Sequence, residues 1–295
     1  MGNYIDLHMH SLYSDDGDFS PEELGAQCRA AGMKIFSITD HNSVKANLEA
    51  EPYCKAQGMR YISGAEFDCS FQGIDLHCLG YGINPSFKPF HEWEEHVLAQ
   101  GRKMASEKLR LTNTLGFHLK GEELEPLSFH GILTGEMFAE VLLGKAEYRD
   151  CDLLKPYRRG GERGDNPYVN FYWDFYSQGK PCYVESPRLD FSEIAALIHE
   201  SGGAAVLAHP GKNLAGRYDL LDELIALGLD GIEVFSSYHT KENREYFYRR
   251  ALEEKLLITA GSDYHGKTKP AIGIGDTGSE IDVDIEGQLK QYGLL

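Results

Sequence analysis

The chain has 295 residues and a formal net charge of −17, with 42% hydrophobic and 25% charged residues. Such an acidic chain is poorly suited to holding nucleic acid by its phosphates, because that binding depends on clustered Lys and Arg. No stretch approaches the ~18 uninterrupted apolar residues of a membrane span, and the N-terminus lacks the pattern of a secretory signal. We therefore expect a cytoplasmic protein that binds neither membranes nor duplex nucleic acid, and its six cysteines, which form no Cys-x-x-Cys pair, favour reduced thiols.

The first apolar run ends in two histidines and an acidic turn, "YIDLHMHSLYSDDGDF", residues 4–19. In an extended segment residues i and i+2 point to the same side, so His8 and His10 can converge on one point. Two convergent neutral imidazoles form a metal chelate. By itself the pair is equally compatible with a surface His-x-His that binds nothing, so the rest of the chain has to decide.

Further short apolar runs end in, or carry, residues of the types that bind metals. In chain order these residues are Asp40 and His41, Glu66, His77, His209, His239, and Asp263 with His265.

Helical patterns separate several of these runs. "SPEELGAQCRAAG" predicts a helix with Ser20 as N-cap, Glu23 at the capping-box position and an end at Gly32. "DFSEIAALIHESGG" predicts a second helix that Ser192 caps. Strand and helix in alternation predict an α/β fold with a parallel sheet or barrel, whose chemistry gathers at the carboxyl ends of the strands. Seven runs with ligand-type residues favour a closed or nearly closed barrel.

The middle of the chain lacks this alternation. Residues 83–181 contain a long helix-like piece around Gly101, a Gly- and Arg-rich stretch and the aromatic "NFYWDFYSQGKPCYV". We interpret residues 83–181 as an inserted, mainly helical cap over a barrel formed by residues 1–82 and 182–295.

Without Asp40 and His239, the ligand-type residues together number nine if one acid of the Asp15-Asp16 turn is counted. That number is too large for one ion and suits two or three. A single buried His is more often a hydrogen-bonded core residue than a ligand, but nine such groups near strand ends reverse that preference.

Five segments resemble signature motifs of the PHP (polymerase and histidinol phosphatase) superfamily of metal-dependent phosphoesterases: "DLHMH...SDDG..SPEEL", "ITDHNSV", "GAEF", "AHPG" and "GSDYH". "GRYDL", "GIEVFSSYH" and "GKPCYV" are similar to the subgroup that removes phosphate from nucleoside 3',5'-bisphosphates and trims short oligonucleotides. The resemblance implies a distorted seven-stranded α/β barrel with a three-metal cluster.

The resemblance also implies which residues hold each ion. Glu66 would bridge two of the ions. Asp16 is favoured over Asp15 as a ligand, because Gly17 and the Ser20-Pro21-Glu22 segment follow Asp16 at the sequence distance usual in the family. The first ion would be held by His8, His10, Glu66 and Asp263, the second by Glu66, His77 and His209, and the third by Asp16, His41 and His265.

The expected chemistry is hydrolysis of a phosphate ester of a small molecule, with a nucleotide as the expected substrate. Paired divalent ions lower the pKa of a shared water toward ~7 and neutralise the phosphoryl oxygens that the bridging hydroxide attacks. Imidazole and carboxylate ligands fit Mn, Zn or Fe without choosing among them. Asp40 is expected to orient a ligand imidazole from the second shell.

Substrate contacts are the least constrained prediction. His239 could protonate the leaving oxygen and Arg217 could bind the phosphate. Candidates for further contacts are Lys212, Ser236 and Arg188.

Two other classes of function stay open at this stage. A binuclear hydrolase of amidohydrolase type also begins with His-x-His, but it usually bridges its metals with a modified Lys, where this chain has Glu66. A non-catalytic, metal-stabilised interaction module is the third possibility. The sequence does not predict the oligomeric state.

Overall fold

The computed structural model describes residues 4–214, 216–279 and 283–295. The strands of these residues are β1 (Ile5–Asp6), β2 (Ile35–Phe36), β3 (Arg60–Tyr61), β4 (Gly64–Phe71), β5 (Ile74–Tyr81), β6 (Leu189–Asp190), β7 (Ala204–Leu207), β8 (Gly231–Ser236) and β9 (Leu257–Gly261). The α-helices are α1 (Pro21–Ala30), α2 (Ala46–Gln57), α3 (Lys88–Thr114), α4 (Gly121–Leu124), α5 (Gly135–Gly144), α6 (Pro167–Phe175), α7 (Phe191–Glu200), α8 (Pro210–Asn213), α9 (Leu221–Ala226), α10 (Lys241–Glu254) and α11 (Ile285–Gln291).

The strands form two hydrogen-bonded sheets. One has the order β1-β2-β3 and is parallel, and the other has the order β6-β4-β5-β7-β8-β9. In the second sheet β4 and β5 are antiparallel, β5 and β7 are antiparallel, and β7, β8 and β9 run parallel. The fold is therefore mixed α/β, as expected, and the closed seven-stranded barrel stays a prediction.

The β4–β5 hairpin corrects the expectation that a strand ends at Glu66. Glu66 is the third residue of β4, and His77 is the fourth residue of β5. Gln72 and Gly73 connect the two strands, and both have positive φ, 47° and 77°. A two-residue turn with both φ positive matches the twist of a hairpin, so β4 continues past Glu66 and turns back directly into β5.

Local capping chemistry explains where two helices begin. Ser20 caps α1 and forms the predicted capping box with Glu23. The second predicted cap is wrong: Asp190, not Ser192, caps α7 and forms the capping box with Glu193. The Asp190 carboxylate accepts a hydrogen bond from the Ser192 backbone N–H at 2.9 Å, which places Ser192 inside the first turn.

The hydrophobic core divides along the chain. Residues of the six-stranded sheet pack against α7, α9, α10 and the start of α3 in one cluster, and Phe36 of β2 and Met9, which follows β1, pack against α1 and α2 in another. In the segment from α3 to α6 helices and loops alternate, and a separate cluster forms there, in which Phe117, Phe138 and Phe171 are fully buried. In the described ranges, none of the helices combines the length and apolarity needed to cross a membrane.

Candidate metal centre

The fold brings the ligand-type residues to one place. His8 and His10 follow β1, His41 follows β2, His209 follows β7, and Asp263 follows β9. β1 lies next to β9, because the Leu7 N–H donates to the carbonyl of Ala260 at 2.9 Å. The two ends of the ligand set, separated by more than 250 residues, are therefore neighbours in space.

The first group of ligand atoms comes from His8, His10, Glu66 and Asp263, and all four residues are buried. The Nε2 atom of His8 lies 3.1 Å from Oε2 of Glu66 and 3.3 Å from Oδ1 of Asp263. The Nε2 atom of His10 lies 3.1 Å from the same Asp263 oxygen. The ligand atoms of this group all lie within 4.8 Å of one another, which is close enough for one ion to reach them together.

The second group surrounds the other oxygen of Glu66. Oε1 of Glu66 lies 3.0 Å from Nδ1 of His77 and 3.1 Å from Nε2 of His209. His41 approaches the same carboxylate, with its Nδ1 atom 3.3 Å from Oε2. Each oxygen of Glu66 thus faces a different set of imidazoles, which is the arrangement a bridging carboxylate needs.

The third group consists of His10, Asp16, His41 and His265. Oδ2 of Asp16 lies 3.1 Å from Nε2 of His265. Asp16 belongs to this group and Asp15 does not.

The charges of the cluster are those of a cation site. Burial by itself would lower the pKa of His41, but the facing carboxylates of Glu66 and Asp16 outweigh burial and raise the pKa to about 9. Burial would raise the pKa of Glu66, and the surrounding imidazoles of His8 and His77 instead hold the pKa well below its usual value. Without a metal, protons on the imidazoles must balance the carboxylates; divalent cations would take over that role.

Unpaired buried atoms give a second indication. Among the residues that the structure describes, Oδ1 of Asp16, Nδ1 of His41 and Nε2 of His265 are buried without a hydrogen bond. Nδ1 of His41 and Nε2 of His265 nevertheless lie 3.3 and 3.1 Å from carboxylate oxygens. Buried polar atoms normally form hydrogen bonds, so these three atoms fit a bound cation. The donor set of imidazoles and carboxylates fits Mn, Zn or Fe.

Asp40 lies behind the cluster, where it organises the turn that follows β1. Its carboxylate accepts hydrogen bonds from Ser11 N–H at 2.6 Å and from the hydroxyls of Ser11 and Ser14 at 2.7 and 3.0 Å. Ser14 Oγ is in turn 2.9 Å from Nδ1 of His10. Asp40 therefore reaches the imidazole of His10 through Ser14.

Glu233 has the same type of role, and sequence reasoning missed it. Its Oε1 atom lies 2.8 Å from Nδ1 of His8, and its Oε2 atom accepts the backbone N–H of His209 at 2.8 Å. The only signal in the sequence was a glutamate in the apolar run "GIEVF" of β8. A charge on a fully buried strand needs a partner, and that rule could have pointed to it.

A cavity opens above the cluster and extends beneath the helical segment. Besides the ligand residues it is lined by cations, by carboxylates including Asp68 and Glu136, and by aromatic side chains of α3 and α6. The aromatic residues in the lining are Tyr13, Trp93, Phe129, Tyr172, Trp173, Tyr176, Tyr183 and Tyr238, and the cations are Lys108, Arg188 and Lys269. The prediction included Arg188 but not Lys108 or Lys269, because neither lysine belongs to a motif.

Two of the cations are tied to neighbouring carboxylates. Lys269 is buried, with its Nζ atom 2.5 Å from Oδ2 of Asp263. The Nη1 atom of Arg188 lies 3.1 Å from Oδ2 of Asp75. Lys269 therefore stands at the cluster itself, and Arg188 stands at the cavity wall.

Four of the predicted substrate contacts are placed elsewhere. His239 is buried and uses both ring nitrogens on backbone groups: Nδ1 donates to the carbonyl of Val234 at 2.8 Å, and Nε2 accepts the N–H of Gly211 at 3.0 Å. Arg217 is half exposed and pairs with Asp219 at 2.9 Å. The structure does not bring either residue into the cavity lining, so neither the proton donation nor the phosphate contact has geometric support.

Lys212 and Ser236 are also outside the lining. The Nζ atom of Lys212 lies over the ring of Trp173, 4.1 Å from its centroid. Ser236 is buried in β8. Lys212, three residues after His209, therefore contacts the helical segment through the ring of Trp173.

Comparison with known proteins gives the family and its fold. The PHP domain model matches residues 6–226. A 5'-3' exoribonuclease of Haemophilus influenzae is 28% identical over 270 residues, covering 90% of this chain and 91% of that protein. A 3',5'-nucleoside bisphosphate phosphatase of Chromobacterium violaceum is 28% identical over 291 residues, covering 92% of this chain and 91% of that protein.

A solved structure from Bifidobacterium adolescentis has the same fold, with a TM-score of 0.77 at 24% identity, covering 98% of this chain and 94% of the other. The matched domain includes seven of the nine clustered ligand-type residues, and the other two, Asp263 and His265, complete the cluster from beyond it. The chain belongs to the PHP domain family and is a metal-dependent phosphoesterase.

Proposed function

We propose that this protein hydrolyses a phosphomonoester of a small molecule, and that the substrate is a nucleotide such as a nucleoside 3',5'-bisphosphate. The observation that carries the proposal is that the cluster lines a cavity whose wall also contains cations and several aromatic side chains. The cluster and the cations suit a phosphate, and the aromatic side chains suit a flat, largely apolar group.

We propose that two or three divalent ions, Mn, Zn or Fe, occupy the three groups of ligand atoms. His8, His10, Glu66 and Asp263 would hold the first ion. Glu66 with His77 and His209 would hold the second, and Asp16, His41 and His265 the third. When bound, such ions supply an activated water and neutralise phosphoryl charge.

The protein's own residues would bind and orient the ester. Lys269, at the cluster, can donate to a phosphoryl oxygen, and Arg188 can do so from the cavity wall. Trp93 of α3 and Tyr172 of α6 offer ring faces to a base, and the helices that carry them cover the cavity and limit the access of water.

Short oligonucleotides are included in the proposal, because the two curated relatives differ in this respect: one is named as an exoribonuclease and the other as a bisphosphate phosphatase. Both substrates present a terminal phosphate next to a nucleoside. The acidic chain and the covered cavity favour the smaller substrate.

The proposed architecture is a distorted seven-stranded barrel formed by residues 1–82 and 182–295, with residues 83–181 as a cap. Parallel bridges support closure, because one joins Met9 after β1 to Tyr264 after β9 and the other joins His41 after β2 to Glu66 of β4. The separate hydrophobic cluster of the helical segment supports the cap. A cytoplasmic location is proposed from the sequence features alone.

The test is phosphate release from a substrate panel. Chelator-treated protein would be reloaded with Mn, Zn or Fe(II) and given adenosine 3',5'-bisphosphate, AMP, a short oligoribonucleotide and a sugar phosphate. We expect release from the bisphosphate, at least ~100-fold loss in His77→Asn, and no change in His118→Asn, a matched change at an exposed histidine of the helical segment.

Two results would count against the proposal. Nucleotide release from the oligoribonucleotide without phosphate release from any monoester would replace the phosphatase by an exonuclease. Inactivity toward every phosphate ester with metals loaded, combined with hydrolysis of an amide substrate, would favour the amidohydrolase type.

A further inference from the structure

The carboxylate of Asp68 stands beside the candidate centre without belonging to any of the three ligand groups found in the described ranges. Asp68 is the fifth residue of β4 and lies directly opposite His77 of β5 in the antiparallel register. Its Oδ1 atom is 3.4 Å from Nε2 of His77. The other ring nitrogen, Nδ1, is 3.0 Å from Oε1 of Glu66. The imidazole of His77 therefore lies between two carboxylates, one that belongs to a ligand group with it and one that does not.

Asp68 is itself fixed by Asn42. The side-chain amide of Asn42 donates to Oδ2 of Asp68 at 3.0 Å, and its Oδ1 atom accepts the backbone N–H of Asp68 at 3.1 Å. Asn42 is 4% exposed and has a φ of 54°, and its N–H donates to the carbonyl of Glu66 at 2.7 Å. Such a conformation costs energy in a residue other than glycine and persists only where the surroundings hold it in place.

The cap helix completes this arrangement. The indole N–H of Trp93, in the second turn of α3, donates to Oδ1 of Asn42 at 3.0 Å. A chain of hydrogen bonds thus runs from α3 through Asn42 to Asp68, whose Oδ1 atom lies within ion-pair distance of the His77 imidazole. The contacts of the His77 imidazole are thereby linked to Trp93, a residue of the helical segment.

We propose that Asp68 is a positioning residue for His77. It accepts the Nε2–H of the ring, which fixes the tautomer and leaves Nδ1 unprotonated toward the ion that Glu66 and His77 would share. Partners of this kind make ligand imidazoles more basic and hold their rings in place. The inference rests on the proposed ion at Glu66 and His77, and it adds that Asn42 and Trp93 set the affinity for that ion.

The experiment measures metal affinity and not turnover. Chelator-treated wild-type protein, Asp68→Ala, Asp68→Asn and Asp75→Ala would be titrated with Zn²⁺ or Mn²⁺ in competition with a chromophoric chelator, and their metal-free thermal unfolding would be recorded. Asp75 is the matched control, because it lies on the same hairpin, two residues before His77, and pairs with Arg188.

We expect Asp68→Ala to weaken one ion by about 10- to 100-fold, and Asp68→Asn, which keeps an acceptor oxygen, to recover part of that loss. Asp75→Ala should bind every ion as the wild type does. Wild-type affinity in Asp68→Ala would overturn the inference, and so would a loss beyond about 1000-fold, which marks a direct ligand. A lower metal-free melting temperature with unchanged affinity would also overturn it. Wild-type protein that binds no ion would instead refute the proposed function.

Discussion

Glu233 is the clearest case of a single residue that supports the centre without facing the cavity. It is fully buried, and its two oxygens are used separately, one by the imidazole of His8 and one by the backbone N–H of His209. A glutamine has only one acceptor oxygen, so Glu233→Gln must leave one of the two donors without a partner.

We expect Glu233→Gln to lower metal affinity by about 10- to 100-fold, measured by competition with a chelator. The control is Glu51→Gln, which removes a charge from an exposed position of α2. Equal affinities in the two variants would show that Glu233 does not orient His8.

Glu136 predicts a pH dependence of stability. Burial, with the nearby Asp16 carboxylate, raises the pKa of Glu136 from 4.5 to about 8. The folded protein therefore holds a proton that the unfolded chain releases, and the associated stability is complete below about pH 4.5 and is lost as the pH rises through about 8.

Glu136→Gln should consequently lie within about 1 kcal/mol of the wild type at pH 5 and exceed its free energy of unfolding by about 4 to 5 kcal/mol at pH 8.5. Urea unfolding of chelator-treated protein at the two pH values measures this difference. Glu122→Gln, at an exposed position of α4, should show no such gain. A gain at pH 5 as large as that at pH 8.5 would contradict the assignment.

At the scale of elements, the approach of β9 to the segment that follows β1 depends on Gly261. A Cβ atom at Gly261 would lie 2.2 Å from Cβ of His8 and 2.4 Å from Oε1 of Glu233. Neither atom can move without shifting a ligand or the residue that supports it. The close contact between these elements, which joins the two ends of the ligand set, therefore requires glycine.

Gly261→Ala should destabilise the protein by about 1–3 kcal/mol through overpacking and should also weaken metal binding. Gly144→Ala is the control, because nothing lies within 4 Å of a Cβ atom there, and it should stay within about 1 kcal/mol of the wild type. Chemical unfolding and metal titration of both variants measure the effects. Unchanged metal affinity in Gly261→Ala would show that the ligands tolerate the shift.

Elements were predictable where a local signal determines them. Ser20 and Glu23 identified the start of α1, since a capping box is a short-range pattern. The β4–β5 hairpin was not anticipated, because alternating runs read as parallel strands and the turn "QG" is a weak signal. The start of α7 was misplaced by two residues, because Asp190 and Ser192 are both good caps and only the structure distinguishes them.

At the scale of the whole molecule, the cluster gathers charge that the fold alone does not balance. Carboxylates and imidazoles from both halves of the chain are buried together, and several of their polar atoms form no hydrogen bond in the described part of the chain. Ions that bind only the folded state stabilise it by mass action, by about 4 kcal/mol when the free ion exceeds its dissociation constant 1000-fold.

Removal of metal should therefore lower the melting temperature by several degrees, and reloading should restore it. Thermal unfolding of protein as purified, after chelation, and after addition of Mn²⁺ or Zn²⁺ measures this. The same melting temperature in all three states would indicate that the cluster is stable without ions.

The gathering of the ligand-type residues was foreseeable, since their types and their places after apolar runs point to one edge of the fold. Their supporting residues were not. Glu233 contacts His8 across 225 residues. Asp68 faces His77 across a hairpin whose antiparallel pairing the sequence did not reveal, and Lys269 reaches Asp263 from an irregular segment without a motif. His239 had a suggestive position in its motif, but the backbone groups of Val234 and Gly211 occupy both of its nitrogens.

The contact between the segment after the first strand and the last strand affects when, during synthesis, the ligand groups can form. His8 and His10 leave the ribosome early, whereas Asp263 and His265, which share their groups, are translated more than 250 residues later. The first and third groups therefore stay incomplete until nearly all of the chain has emerged, whereas Glu66, His77 and His209 are all translated before residue 210. A product that terminates before Asp263 would lack a ligand of the proposed first ion site.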